Sequence, residues 1–242
     1  MTNSRLALVY LLGFAGAIVI ASYAGFRDFL PILIDGTLVT IQITLLSAVV
    51  AVPCAVVAAL AKVYGMPPLR WLATAYIEIF RGTSALVQLF WLFFVLPHFG
   101  ITLEPITAAV IGLGLNLGAY GAEVVRGAVQ AVPRGQWEAS TALNMTRPMA
   151  LRRIVLPQAF VAMIPPWGNL FIELLKSTSL VSLITISDLT FRAKGISDVT
   201  LRTAEVFNVA LVIYLCIALV ITYAMRSLER SATRGLARGR SA

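Results

Sequence analysis

Three acid–base pairs lie inside apolar stretches of this chain: Glu78-Ile-Phe-Arg81, Glu123-Val-Val-Arg126 and Glu173-Leu-Leu-Lys176. At i,i+3 on a helix the two side chains share a face and can neutralise each other. A lone charge at mid-bilayer costs about 2.5–3.5 kcal/mol on insertion scales, so such groups face a bundle interior or a cavity. For Glu123–Arg126, near the end of its run, neutralisation and function are equally good readings. Glu78–Arg81 and Glu173–Lys176 sit beside interruptions in their helices, which favours function.

Other chemistries find no residues to carry them. The lysines are Lys62, Lys176 and Lys194, and none follows a Gly-x-x-x-x-Gly loop. If ATP is used, another chain binds it. No nucleophile–base pair stands out. His98 precedes Phe99-Gly100 at the end of an apolar run, where an interfacial role is expected, and no Cys or second His can join it on a metal. Cys54 and Cys216 lie within apolar runs and read as packing residues.

The elements that must position these pairs are membrane helices. Of 242 residues, 59% are hydrophobic and 12% charged, with a mean hydropathy of +0.88. A soluble domain carries about twice that charged fraction. The net charge of +8 does not point to nucleic acid, because the cations cluster at the ends of apolar runs. Six spans emerge, near 6–25, 37–62, 70–97, 104–126, 158–186 and 204–226, each close to the roughly 20 residues a bilayer needs. The first, Leu6 to Gly25, exceeds the roughly 7–15 apolar residues of a signal peptide and reads as a retained helix.

Spans three and five read as interrupted, by Arg81-Gly82-Thr83 in one and by Pro165-Pro166 and Lys176-Ser177-Thr178-Ser179 in the other. Broken helices are tolerated at membrane depth where they line a cavity or are buried in protein, so these two are the candidate pathway walls. Gly114, Gly118 and Ala122, with Gly112, place small residues along span four, as expected of a close helix–helix seam.

Lys and Arg set the orientation. With the N-terminus inside, the inner segments hold Arg5, Lys62, Arg70, Arg126, Arg134, Arg147, Arg152, Arg153 and the arginines from Arg226 onward. The outer segments hold only Arg27, Arg192, Lys194 and Arg202. This bias predicts both termini and the 127–157 loop in the cytoplasm. Segment 187–203 reads as an outer loop, solvated or in touch with an external partner, and 227–242 as a basic, disordered cytoplasmic tail.

Residues 138–157 then carry a family resemblance. Glu138-Ala139-Ser140, three residues, Asn144, nine residues, Ile154, one residue, Leu156-Pro157 resembles the EAA loop of ABC-importer permeases, whose pattern has Ala where Ser140 stands and Gly where Asn144 stands. Asn is the other residue that readily takes a left-handed turn. Tyr76 to Thr83 with Leu86-Val87-Gln88, Asn116 to Glu123 with Arg126-Gly127, and Pro165 to Asn169 with Leu174 to Leu180 resemble the core helices of polar-amino-acid permeases. Ser84-Ala85 departs from the family, which usually has Pro after Arg-Gly-Thr. An additional span precedes the usual core.

The resemblance implies an all-α membrane protein with about six transmembrane helices, a five-helix core plus one N-terminal helix. Residues 1–29 would be that helix and its linker, 30–226 the transport domain with its loop at 134–157, and 227–242 the tail. It implies a permease subunit in the bacterial inner membrane, not itself an enzyme, paired with an identical or paralogous permease and two ATPase subunits. Those ATPases hold ATP and Mg, and this chain binds no cofactor. An extracytoplasmic solute-binding protein delivers an amino acid or related zwitterion, with ordinary polar amino acids and solutes such as ectoine both open. Candidate substrate contacts are Arg81 and Thr83 for the carboxylate and Glu173 for the cationic end, with Gln88, Asn116, Asn169 and Lys176 nearby. Candidate ATPase contacts are Glu138, Ala139, Ser140, Asn144, Arg147, Ile154, Leu156 and Pro157. Glu138 and Ala139 open the first short helix, and Arg147 to Leu156 form the second. An ion-coupled transporter would also explain intramembrane charges, but not the loop. A permease paralogue without its own substrate site stays open as well.

Overall fold

The computed structural model describes residues 29–238, with side chains to 233, and Gly16. The expected N-terminal span 6–25 therefore lies outside the described residues, apart from that glycine. All described elements are helical.

Helix α1 runs Leu30–Tyr64, with a proline in its first turn, and stops at Gly65. Helix α2, Pro67–Gly82, starts on Pro67-Pro68, a fitting entry because proline presets the helical φ and an N-terminal N–H has no partner to lose. It breaks at Thr83 and Ser84, both extended, and α3, Ala85–Phe90, restarts at 105° to it. A π turn at Trp91–Val95 and a 3-10 turn at Leu96–Phe99 carry α3 onward. The break thus forms without the family's proline. Helix α4 is Pro105–Gln130.

Two short helices follow, α5 at Arg134–Ala142 and α6 at Arg147–Ala150. A π turn, Leu151–Val155, joins α6 to α7, Leu156–Ser177, and a 3-10 stretch, Thr178–Ile184, ends this arm. Helix α8 is Leu189–Thr200 and α9 is Thr203–Arg238. Among the described residues four helices are long and apolar enough to cross a membrane, and α2 with α3 makes a fifth, broken span.

Several expectations need correction. Pro165-Pro166 does not interrupt its span, because α7 continues through both. Proline imposes a φ near −65°, itself helical, so the pair removes N–H donors without redirecting the backbone. The real change of geometry comes at Thr178, just past Lys176. Segment 187–203 is not an open loop. Asp188 caps α8 by accepting the Phe191 N–H at 2.9 Å, and Leu189, Ala193 and Ile196 form an i,i+4,i+7 seam that buries against the start of α1 and α9. The tail is not disordered through 238, since α9 runs unbroken to Arg238. The second loop helix is not a separate element, because α6 flows through the π turn into α7.

Helix α4 sits at the centre, packed on α1, α2 and α7. Its small residues allow this. A Cβ on Gly114 would lie 2.8 Å from Val50, one on Gly118 2.7 Å from the Tyr76 hydroxyl and 3.0 Å from Cys54, and one on Gly121 2.6 Å from the Trp167 ring. The expected seam is therefore real and lies within the subunit. In lipid, where apolar helices gain little from leaving water, such close backbone approach supplies dispersion contacts that hold the bundle. Leu113, Leu117, Val125, Ile43, Ile77 and Leu174 fill the rest of this core.

Candidate functional site

The break between α2 and α3 gathers several of the residues singled out by sequence. Gln88 Nε2 donates to the Phe80 carbonyl at 3.0 Å and to Thr83 Oγ1 at 2.6 Å. Asn116 Nδ2, from α4, donates to the same Phe80 carbonyl at 3.0 Å and to Gln88 Oε1 at 3.1 Å. The Thr83 hydroxyl donates to Ile79 O at 2.7 Å. A broken helix leaves carbonyls without intrahelical donors, and these side chains supply them. Thr83, Gln88 and Asn116 thus use their polar groups to build the break in this conformation.

Arg81 is different. It is exposed, its guanidinium lies 5.5 Å from the Tyr120 ring centroid, and among the described residues it makes no ion pair. A Cβ added at Gly82 would meet nothing within 4 Å, so the space beside Arg81 is open. Glu78 is also exposed, and no ion pair joins it to Arg81 among the described residues. Sequence reasoning missed the part played by Tyr120. Its signal is that it follows Asn116 by four residues on α4, which puts both on the face toward the break.

Asn169, Glu173 and Lys176 are exposed along one face of α7. Among the described residues no hydrogen bond or ion pair links their side chains to the Arg81 group, and Glu173 does not pair with Lys176. Lys176 instead lines a largely apolar groove with Thr190 of α8 and with Phe207, Leu211, Tyr214 and Leu215 of α9.

Only the Glu123 pair neutralises as the spacing allows. Arg126 Nε lies 2.7 Å from Glu123 Oε2, and Lys62 Nζ reaches Oε1 of the same carboxylate at 2.8 Å. Arg126 also donates to Gln130 at 2.7 Å. This cluster ties the end of α1 to α4. The Lys62 partner, 61 residues away, leaves no periodic trace in the sequence.

The 134–157 segment forms a hairpin. Helix α5 begins at Arg134, one turn before Glu138, so Glu138 and Ala139 lie within the helix and do not open it. Both are exposed, whereas Ser140 is buried and donates to Trp137 O at 2.7 Å. Asn144 takes φ 57°, the left-handed conformation. Around it Met145 N donates to Ser140 O at 3.0 Å and Asn144 N to Thr141 O at 2.9 Å, the paired bonds of a Schellman end. Arg147 and Pro157 are exposed, and Ile154 and Leu156 are half-buried, Leu156 against the core. Gln158 bridges Ile154 O at 3.0 Å and Gln136 at 3.4 Å, fixing one arm on the other. The hairpin presents Glu138, Leu143 at 69% exposure and Met149 at 40% as an uncovered knob at one end of the bundle.

Residues 51–234 match the family model described as binding-protein-dependent transport system inner membrane component. A probable amino-acid ABC transporter permease, y4tF of Sinorhizobium fredii, is 48% identical over 214 residues, covering 86% of this chain and 90% of that protein. The L-cystine transport system permease TcyB of Bacillus subtilis is 40% identical over 213 residues, covering 88% and 91%. Among solved structures, an amino acid ABC transporter crystallised with histidines superposes with a TM-score of 0.81 at 36% identity, covering 87% of this chain and 98% of that one.

Proposed function

This chain belongs to the family of binding-protein-dependent transport system inner membrane components, as a multi-pass, non-enzymatic ABC permease subunit, and from that premise we propose that it moves amino acids through a pathway walled by α2, α3 and α7. The names of similar permeases, for L-cystine and for glutamine, favour an amino acid over a solute of the ectoine kind. The ion-coupled alternative lapses with the family.

Arg81 carries the reading. An exposed guanidinium with no ion pair among the described residues, beside a broken membrane helix, is too costly to face lipid, so it faces a pathway or a partner subunit. Its planar fork suits a carboxylate, and the Tyr120 ring lies 5.5 Å from it. Glu173, unpaired on α7, is suited to the cationic end of a substrate. A second permease, identical or paralogous, completes the pathway, because Arg81 and Glu173 stay exposed at the surface of one chain. The excess of Lys and Arg beside the hairpin supports a cytoplasmic setting for that end and for both termini. There the knob docks on a separate ATPase, two per complex, which holds ATP and Mg. ATP-driven closure of those subunits rocks the permeases between outward and inward openings, with substrate delivered outside by a binding protein.

Arg81→Lys keeps the charge and loses the fork. In proteoliposomes holding the assembled importer and its binding protein, import below saturation falls about tenfold or more, equivalent to about 1.4 kcal/mol. Basal ATPase activity persists. Import at the wild-type rate overturns the carboxylate role.

A further inference from the structure

The end of α9 carries a feature that transport does not use. From Val206 to Met225 the helix has no charged residue, and Arg226 ends the run. Those 20 residues at 1.5 Å each match the roughly 30 Å hydrocarbon core, which sets Arg226 at the headgroup layer and Arg230 one turn beyond. Both are exposed, and among the described residues neither makes an ion pair. With Leu219, Thr222, Tyr223 and Ser227 they share one side of α9. Met225 packs on Gly168 of α7. Tyr223, Arg226 and Arg230 are rotated away from it around the helix, so this face is turned from α7. Tyr223 is 76% exposed at the level where interfacial aromatics sit.

We propose that this face of α9 binds the phosphate of an anionic membrane phospholipid through Arg226 and Arg230, with the Tyr223 and Ser227 hydroxyls beside it. Two guanidinium forks at i,i+4 share one face of the helix, and each offers the planar, bidentate donors that phosphate oxygens accept. Depth selects the occupant. A soluble protein surface meets the helix only past the headgroups, whereas Arg226 lies among them. Charge selects the lipid, since a zwitterionic headgroup brings its own cation and leaves two arginines uncompensated, while phosphatidylglycerol does not.

The test uses the full-length chain in detergent, equilibrated with mixed micelles of phosphatidylglycerol and phosphatidylcholine in equal amounts. Retained lipid is counted by native mass spectrometry. Wild type retains phosphatidylglycerol preferentially, R226Q/R230Q lowers that preference about threefold or more, and R192Q/R202Q, with the same charge removed at the other end of the bundle, leaves it unchanged. If R226Q/R230Q fails to insert, R230Q alone, beyond the apolar run, still lowers the preference. The proposal is overturned by an unchanged preference in the inserted variant, or by an equal loss in R192Q/R202Q. It is equally overturned by inorganic phosphate binding with no choice between lipids. Lipid retention preserved while ATPase co-purification is lost makes the face a protein contact and also overturns it.

Discussion

The amides of Gln88 and Asn116 meet at 3.1 Å, and both also donate to the Phe80 carbonyl, each at 3.0 Å. One carbonyl left over by the end of α2 thus fixes α3 and α4 at the same point. Asn116→Leu removes two donated bonds and leaves Gln88 Oε1 without its partner, at about 0.5–1.5 kcal/mol per bond. The expected result is a thermal midpoint several degrees lower, with import reduced because Arg81, next to the latched Phe80 carbonyl, loses its fixed setting. A variant with wild-type melting and import shows that the latch holds nothing.

Gly118 and Gly127 lie on the same helix with opposite surroundings. A Cβ on Gly118 meets Tyr76, Cys54 and the Ala51 carbonyl at 2.7–3.2 Å, whereas one on Gly127 meets nothing within 4 Å. Gly118→Leu is expected to destabilise the bundle by about 1–3 kcal/mol through overpacking. Gly127→Leu leaves the melting temperature close to wild type. Equal behaviour of the two in a detergent melt removes the α1–α4 seam as a stabilising contact.

Asp188 makes stability depend on pH. It is fully buried between α1, α8 and α9, accepts the Phe191 N–H at 2.9 Å, and faces the Tyr214 hydroxyl at 3.5 Å. Burial pushes its pKa up to about 6 from an ordinary 3.8, with the hydrogen bonds from Phe191, Thr190 and Tyr214 only partly offsetting it. The folded protein therefore holds this proton more tightly than the unfolded chain. Between about pH 4 and 6 the unfolded state binds fewer protons, so stability falls as pH rises through that window and is lowest above it. The bound on the effect is about 3 kcal/mol. Asp188→Asn keeps an acceptor for the cap and cannot titrate. Melts from about pH 5 to 7.5 should show wild type losing stability relative to this variant. Parallel curves contradict the assignment.

What sequence could reveal depended on range. Apolar runs located the spans among the described residues because bilayer thickness fixes their length. Arg81-Gly82-Thr83 marked the break, and Asn144 marked the turn, because each is a local backbone event. Lys62–Glu123 could not be read, since two helices must first pack before those charges meet. Helix α8 was hidden by its charged residues, although Asp188 at its cap and the Leu189, Ala193, Ile196 spacing were visible. Pro165-Pro166 misled because proline's usual effect is to break a helix, whereas here both rings are exposed and displace nothing in the core.

Glu138 tests the hairpin as a docking element. It is exposed on α5 and carries no ion pair among the described residues, so its replacement disturbs little inside the subunit. Surface changes of this kind shift stability by about 0.5 kcal/mol or less. The hairpin itself is held elsewhere, by the left-handed Asn144, the Ser140 bond to Trp137 and the Gln158 bridge. Glu138→Lys reverses one charge beside the exposed Leu143 and Met149 without touching those supports. Membrane insertion and melting temperature should match wild type, while the ATPase retained on affinity purification drops about tenfold, equivalent to about 1.4 kcal/mol of docking energy. Import falls with it, because an ATPase that does not dock cannot drive the permease. Full ATPase retention with wild-type import would place the coupling contact on another part of the chain.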